Sequence, residues 1–426
     1  MDSMEPVKHE NYHAFLIAVD IKLSNPKWSA DESVEELAEL CKTAGLVVKG
    51  CYIQKRSSIH RGTYIGKGAI EETKDFIKEE KIEVVVADDE LSPSQLRNLE
   101  QMLGVKIMDR TSLVLSIFAD HARTHEAMLQ VELAQLDYLM PRLTRMWTHL
   151  SRLGGGIGTR GPGETQLESD KRQISTKVKH LKQELKKVVK HRETIRGRRS
   201  EIPLLSAALV GYTNSGKSTL MNRLTPAKVL AEDQLFATLD TTTRKLDLKN
   251  NETILVSDTV GFIQKLPTQL VDAFKSTLEE LHFADILIHV VDASHPRCFD
   301  MMDVTLQTIN EIGVTDKSHL IVMNKRDQLD TERRKEIKEH MELFEHSVLF
   351  SAIEDTDLSP IMDQLELIVE QFRETMTLKI PYNRMDIVNL FHKHGDVLSC
   401  EYEESITVSV RINKVLGQKI MGGLHA

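Results

Sequence analysis

The sequence predicts an α/β protein built from several modules, and three observations carry that reading. Short apolar runs alternate with helical stretches over residues 13 to 109, the pattern of a small parallel sheet covered by helices. A seam of large apolar residues at coiled-coil spacing then occupies residues 110 to 200. From 201 to 373 strand-like runs again lead into polar, glycine-bearing turns, and a small α+β segment fills 374 to 426. The length agrees, because 426 residues suffice for about three domains.

In the first module, His13 to Asp20 reads as a strand, Ser33 to Ala44 as a helix and Leu46 to Ile53 as a second strand. A helix over Ala69 to Glu80, a strand over Ile82 to Asp88, a helix over Ser92 to Leu103 and a strand over Val105 to Met108 complete the alternation. Pro93 suits the first turn of its helix, where a missing N–H removes no hydrogen bond. The triplet Gly66-Lys67-Gly68 lacks the strand–loop–helix context of a phosphate site, so a surface loop is expected there.

In the second module, Leu129, Leu133, Leu136, Met140, Leu143 and Trp147 form one seam, with Pro141 placed to kink it. Ile174, Val178, Leu181, Leu185 and Val188 resume it after a break. Two seams and one interruption predict a long antiparallel helical hairpin. The interruption, Gly154-Gly155-Gly156-Ile157-Gly158-Thr159-Arg160-Gly161-Pro162-Gly163, is too rich in glycine for helix or ordinary strand. It makes a tip nearly free of side chains, with Arg152 and Arg160 as its charges. The second helix carries Lys171, Arg172, Lys177, Lys179, Lys182, Lys186, Lys187, Lys190, Arg192, Arg196, Arg198 and Arg199 against only Glu184 and Glu193. A charge run is often just a solvated face. In a chain of net charge −9, such concentration points to a phosphate backbone, and the scarcity of aromatics favours folded RNA over stacked single strands. Arg152, Gly154, Gly155, Gly156, Arg160, Gly161, Gly163 and the lysines and arginine from Lys171 to Lys190 are the candidate RNA-binding residues.

The third module carries the chemistry. An apolar run from Leu204 to Val210 feeds Gly211-Tyr212-Thr213-Asn214-Ser215-Gly216-Lys217-Ser218. Glycines there let backbone N–H groups converge on phosphate oxygens. Lys217 is placed for the β and γ phosphates, the Ser218 hydroxyl for Mg²⁺, and the helix from Thr219 adds its positive end. Asp258-Thr259-Val260-Gly261 follows the strand-like Thr253 to Ser257. Asp258 can hold the water shell of magnesium, and Gly261 can bring a backbone N–H to the γ-phosphate. Asn324-Lys325-Arg326-Asp327 ends the run His319 to Met323. The Asp327 carboxylate can accept from guanine N1–H and N2–H₂, donors that adenine lacks, and Asn324 can bond the N7/O6 edge. Ser351-Ala352-Ile353 follows Val348 to Phe350, placed to offer a backbone N–H to O6. The full series specifies a guanine nucleotide. Between the first two motifs lies a threonine-rich loop in which Thr238, Thr241, Thr242 or Thr243 completes the metal shell. Spacing does not choose among them. Phe262 stands where many GTPases carry a water-orienting glutamine, so slow intrinsic hydrolysis is expected, assisted by a partner or an ion. Arg244 to Lys249 and Thr253 to Ser257 suggest a hairpin added to the parallel strands. The C-terminal segment reads as a strand over Leu378 to Ile380, a helix over Met385 to Lys393 and strands over Val397 to Tyr402 and Ile406 to Ile412.

Composition narrows the class. Hydrophobic residues at 41% and charged residues at 28% fit a globular chain with ample core. No run of eighteen apolar residues is present, and Met1 to Glu5 lacks the basic and apolar regions of a secretory signal. Cys41, Cys51, Cys298 and Cys400 show no metal-ligand spacing and no disulfide framework. A cytoplasmic monomer is expected.

The whole chain resembles the HflX GTPases, ribosome-associated members of the Obg-related translation-factor class. The resemblance rests on Thr63-Tyr64-Ile65-Gly66-Lys67-Gly68, Asp88-Asp89-Glu90-Leu91-Ser92-Pro93, Leu129-Gln130-Val131-Glu132-Leu133-Ala134-Gln135-Leu136, the glycine tip through Thr165, and Phe236-Ala237-Thr238-Leu239-Asp240. It implies that this last segment contacts GTP, with Thr238 the switch threonine on Mg²⁺, and that Phe262 is the family's hydrophobic replacement for glutamine. It implies binding to the large ribosomal subunit, the tip reaching towards rRNA of the peptidyl-transferase region, and a role in splitting or rescuing stalled ribosomes, often under stress. An asparagine at the position of Asn214 supports a K⁺ ion in related GTPases, and family members can bind ATP through the N-terminal region. Thr241 departs from the family's usual proline, and the last fifty residues match weakly. A ribosome-assembly GTPase and a GTP-gated RNA-binding module with negligible turnover are the alternatives. An RNA-modification enzyme would need a catalytic constellation outside the nucleotide motifs, and none is found.

Overall fold

The computed structural model describes residues 12–21, 29–146, 162–199, 204–225, 236, 242–249, 252–265 and 280–424. They fall into two compact units. The first holds 1–190 with 232–240 and 263–276, and the second holds 191–231, 241–262 and 277–426.

The first unit is built on a four-stranded parallel sheet, order β2-β1-β3-β4. Its strands are β1 (His13–Ile21), β2 (Val47–Arg56), β3 (Val84–Ala87) and β4 (Lys106–Asp109), alternating with helices α1 (Ala30–Thr43), α2 (Lys67–Glu80) and α3 (Pro93–Leu103). β3 is buried along its whole length, as a parallel strand covered on both faces must be. α1 and α3 each open on a capping box, at Ser29/Glu32 and Ser92/Gln95, so the orphan N–H groups of their first turns are satisfied locally. The Gly66-Lys67-Gly68 triplet differs from expectation. Gly66 is the N-cap of α2 and donates its N–H to Gln54 Oε1 at 2.8 Å, while Tyr64 and Ile65 before it are core residues. The turn is held from inside, so it is a helix start and not a free loop.

α4 (Arg110–His121) and α5 (His125–Met146) come next, then a helix over Pro162–Arg199. In the first seam Leu129 and Leu133 are buried, whereas Leu136 and Met140 are half-buried. α5 buries a second stripe, Val131, Ala134 and Tyr138. The Tyr138 hydroxyl donates to Asp109 Oδ1 at 2.8 Å, and Arg142 pairs with Asp109 at 3.3 Å. Val178 and Leu181 of the later helix are buried, and Lys177 pairs with Glu132 of α5 at 2.5 Å. Both partners are well exposed, so that pair adds little stability. Pro141 lies inside α5. Leu143, Trp147 and the tip from Arg152 to Gly161 lie outside the described side chains.

The second unit contains a six-stranded sheet, order β10-β9-β8-β5-β7-β6. Its strands are β5 (Ser206–Val210), β6 (Thr242–Asp247), β7 (Thr253–Asp258), β8 (Ile286–Asp292), β9 (Ser318–Asn324) and β10 (Ser347–Leu349). All pairings are parallel except β6 with β7, the added hairpin. Leu209, Leu220, Ile254, Val256, Ile288, Val290, Val322 and Phe350 form its core with the covering helices. The C-terminal part is an antiparallel sheet of β11 (Arg373–Ile380), β13 (Ile406–Asn413) and β12 (Gly395–Tyr402). Helices Met385–His394 and Lys414–Leu424 bury Phe391 and Leu416 against Val408 and Ile412. The fold is therefore α/β, with a parallel first sheet, a P-loop sheet and a small α+β end.

Candidate nucleotide site

Every described nucleotide motif of the second unit lies at the carboxyl edge of its parallel strands, where β5 is flanked by β7 on one side and β8 on the other. That is the topological switch point at which open α/β sheets bind ligands. The phosphate loop leaves β5 and closes into the helix Lys217–Leu224. Lys217 is 7% exposed and donates to Gly211 O at 3.1 Å and Tyr212 O at 2.7 Å. Burial lowers its pKa to about 8, opposed by the nearby Asp258 carboxylate. The Ser218 hydroxyl donates to Asp258 Oδ2 at 2.8 Å, which joins the two residues expected at the metal across β5 and β7. Thr213 Oγ1 and Ser215 Oγ are buried without a hydrogen-bond partner among the described residues. Asn214 is exposed at a left-handed φ of 58°, and Thr219 is half-buried in the first helical turn.

Asp258 ends β7 fully buried, and Thr259 turns its hydroxyl onto Leu209 O at 2.5 Å. Val260 is also buried. Gly261 passes so close to the phosphate loop that a Cβ would sit 2.8 Å from Thr213 Cγ2 and 3.0 Å from Lys217 Nζ. Only glycine fits that approach. Phe262 is 2% exposed, and its backbone forms a bridge to the phosphate loop: Thr213 N–H donates to Phe262 O at 2.8 Å, and Phe262 N–H donates to Gly211 O at 3.1 Å. The buried ring is no substitute for a water-orienting amide. The backbone role was invisible in the sequence.

Asn324 closes β9 at 3% exposure. Its Nδ2 donates to Ser215 O at 2.8 Å, and its Oδ1 accepts from Ala352 N–H at 3.0 Å. The side chain thus ties the phosphate loop to the Ser351 loop and leaves one amide N–H for a purine edge. Ala352 N–H, expected at guanine O6, is engaged with Asn324 here. Gly216, at φ 93°, permits the contact, since a Cβ would fall 2.2 Å from Asn324 Nδ2. Lys325 is left-handed and pairs with Asp292 at 2.7 Å. Arg326 pairs with Asp355, whose Oδ2 also accepts from Ser351 N–H at 2.7 Å. Asp327 accepts from the Ser351 hydroxyl at 2.5 Å, while Ile353 is 69% exposed. Asp292 and Asp355 were missed by sequence reasoning. The first had a signal, because Ile286 to Val291 is almost uniformly apolar and ends at an aspartate. Phe236 is 2% exposed with its ring edge-on to Phe118, centroids 4.5 Å apart, so its ring packs within the first unit. Ala237, Thr238, Leu239, Asp240 and Thr241 lie outside the described residues.

In the first unit, Arg172, Lys177, Lys179, Lys182, Lys186, Lys187 and Lys190 are exposed along the helix Pro162–Arg199, and Lys171 is half-buried. Gly163 lies in its first turn. No helix among the described residues is long and apolar enough to cross a membrane.

Comparison with known proteins identifies the family. Three family models match: "GTP-binding GTPase N-terminal" over residues 31–119, "GTP-binding GTPase Middle Region" over 121–199 and "50S ribosome-binding GTPase" over 206–325. GTPase HflX of Lacrimispora saccharolytica is 46% identical over 405 residues, 95% of this chain and 94% of that protein. GTPase HflX of Caldanaerobacter subterraneus subsp. tengcongensis is 40% identical over 98% of this chain and 95% of its own length. Among solved structures, a GTP-binding protein from the archaeon Sulfolobus solfataricus in complex with GDP is 26% identical, with a TM-score of 0.44, covering 84% of this chain and 99% of that one. The chain binds guanine nucleotides, hydrolyses GTP and belongs to the HflX family of GTPases.

Proposed function

We propose that this GTPase binds the large ribosomal subunit and splits or rescues stalled ribosomes under GTP control. The observation that carries the reading is the run of exposed basic residues from Arg172 to Lys190 on the helix Pro162–Arg199, in a chain that is acidic overall. Such a run suits an rRNA backbone and gives strongly salt-dependent binding. The glycine tip beyond it, with Arg152 and Arg160, is read as the part that enters a narrow RNA site.

At the nucleotide, Lys217 and the loop N–H groups hold the phosphates, and the Thr213 and Ser215 hydroxyls are buried in the same loop. GTPases of this fold require Mg²⁺. The Ser218 hydroxyl and Asp258 carboxylate are hard oxygen donors within 2.8 Å of each other, the set that ion prefers. Ser218 and Thr238 would ligate it directly and Asp258 through water; the ion, when bound, neutralises charge on the β and γ phosphates. Gly261 N–H meets the γ-phosphate, Asp327 reads guanine, and the second Asn324 amide proton meets N7. The exposed, left-handed Asn214 suits a K⁺ ion that would offset the missing glutamine at Phe262.

The test is sucrose-gradient sedimentation of intact ribosomes with the protein and GTP, alongside a variant shortened between Gly154 and Gly163. The full chain should release free subunits, and the shortened chain should bind GTP normally without doing so. Splitting that survives the deletion would reduce the tip to a linker. Binding confined to precursor particles would favour an assembly role.

A further inference from the structure

The second unit holds a cavity that the nucleotide site does not use. It lies where the start of β7 meets the C-terminal part, and its volume is about 300 Å³, at the lower end for small-molecule sites. Leu205, Ile254 and Leu416 give it apolar walls. Its polar lining includes Lys245 from β6, Lys393 and His394 from the end of the helix Met385–His394, and Asn413 from the end of β13. These groups lack acceptors. Lys245 and Lys393 have no ion-pair partner among the described residues, and His394 Nε2 is buried without a hydrogen bond. Burial and then the Lys393 ammonium lower the His394 pKa, as expected of a cation with no anion beside it. Asn413 directs its oxygen to the N–H groups of Val415 and Leu416, at 3.0 and 3.3 Å, which leaves its amide donors free. Among the described lining residues the one carboxylate is Glu252, already paired with Arg373 at 3.0 Å. Lys393 and His394 also suit the carboxyl end of their own helix. Lys245 has no such reason, because it stands within a strand.

We propose that this cavity binds a small organic anion, a phosphate monoester with a short apolar body. Two unpaired lysines match the double charge of such a phosphate, and charge-assisted hydrogen bonds to them are the strong kind. The Asn413 amide and the His394 imidazole supply further donors, which a phosphate can satisfy with its three terminal oxygens. The apolar body lies on Leu205, Ile254 and Leu416, where burial adds affinity in proportion to the area covered. A volume of this size admits one small molecule. Once bound, the ligand bridges β6 to the C-terminal helices, so it stabilises the second unit by mass action.

The probe is phenyl phosphate, titrated by calorimetry into the full chain already saturated with Mg²⁺ and GDP, so that the phosphate loop is occupied. One-to-one saturable binding and a raised melting temperature are expected. Inorganic phosphate, which lacks the apolar body, should bind at least about tenfold more weakly, and benzyl alcohol, which lacks the charge, should not bind detectably. Lys245→Gln and Lys393→Gln should each weaken phenyl phosphate about tenfold, the loss expected for a hydrogen bond to a charged group. Both variants should keep parental GDP affinity, since neither residue belongs to the nucleotide site. Absence of saturable phenyl phosphate binding would overturn the proposal. Benzyl alcohol binding as tightly as phenyl phosphate would overturn the assignment of an anion. A double variant, Lys245→Gln with Lys393→Gln, that still binds like the parent chain would place the anion elsewhere and overturn the site.

Discussion

Truncating Asn324 to alanine probes the link between the phosphate loop and the base loop. The side chain is 3% exposed and bonds Ser215 O at 2.8 Å and Ala352 N–H at 3.0 Å. Both partners belong to buried residues. Two hydrogen bonds of about 1 kcal/mol each are lost, and an acceptor and a donor are stranded at about 1 kcal/mol or more apiece. The total, about 3–5 kcal/mol, divides between folding stability and nucleotide affinity, because bound nucleotide holds the same two loops together. Urea unfolding of the nucleotide-free protein, paired with GDP and GTP titration, separates the shares. Both nucleotides should weaken alike, by roughly 10-fold or more for each 1.4 kcal/mol that falls on binding. If stability and both affinities stay within about threefold of the parent chain, a change under about 0.7 kcal/mol, the clamp does not exist.

Three other perturbations have defined outcomes. Asp327→Asn should shift preference from guanine to xanthine nucleotides, since the paired acceptors for N1–H and N2–H₂ are gone; competition binding that still favours GTP would refute the assignment. Burial lowers the Lys217 pKa to about 8, and a bound phosphate stabilises its ammonium form and raises that value. Nucleotide affinity should be flat below about pH 8 and fall above it with proton uptake on binding, measurable by calorimetry in two buffers; a flat profile to about pH 9.5 would contradict this. Arg373 is buried between Glu252 at 3.0 Å and Asp396 at 2.8 Å. Arg373→Ala should destabilise the second unit by about 3 kcal/mol, the lower end for a buried pair because Asp396 is half exposed. An unchanged urea midpoint would show the pair to be idle.

Much of this was legible in the sequence for a simple reason. Parallel strands buried on both faces, such as Val84–Ala87 and Ile286–Asp292, leave continuous apolar runs, and nucleotide-reading residues come directly after such runs. Spacing therefore located Lys217, Ser218, Asp258, Asn324 and Asp327 at one sheet edge. Contacts made across long sequence separations leave no such pattern. Tyr138 and Arg142 lie off the heptad seam and are buried by Asp109, and Lys265 finds Asp88 over 177 residues of chain. The C-terminal helix Lys414–Leu424 was also unforeseen. Gly417, Gly422 and Gly423 depress its intrinsic propensity, so its formation depends on burial of Leu416 against the last sheet.

The most direct test of the account is GTP turnover with and without purified large ribosomal subunits. A site lacking a water-orienting side chain at Phe262, in a chain with an exposed basic helix, should turn over slowly alone and accelerate at least roughly tenfold, about 1.4 kcal/mol off the barrier, when subunits saturate it. The acceleration should decline steeply with added salt. A rate unchanged by large subunits at low salt would contradict the account.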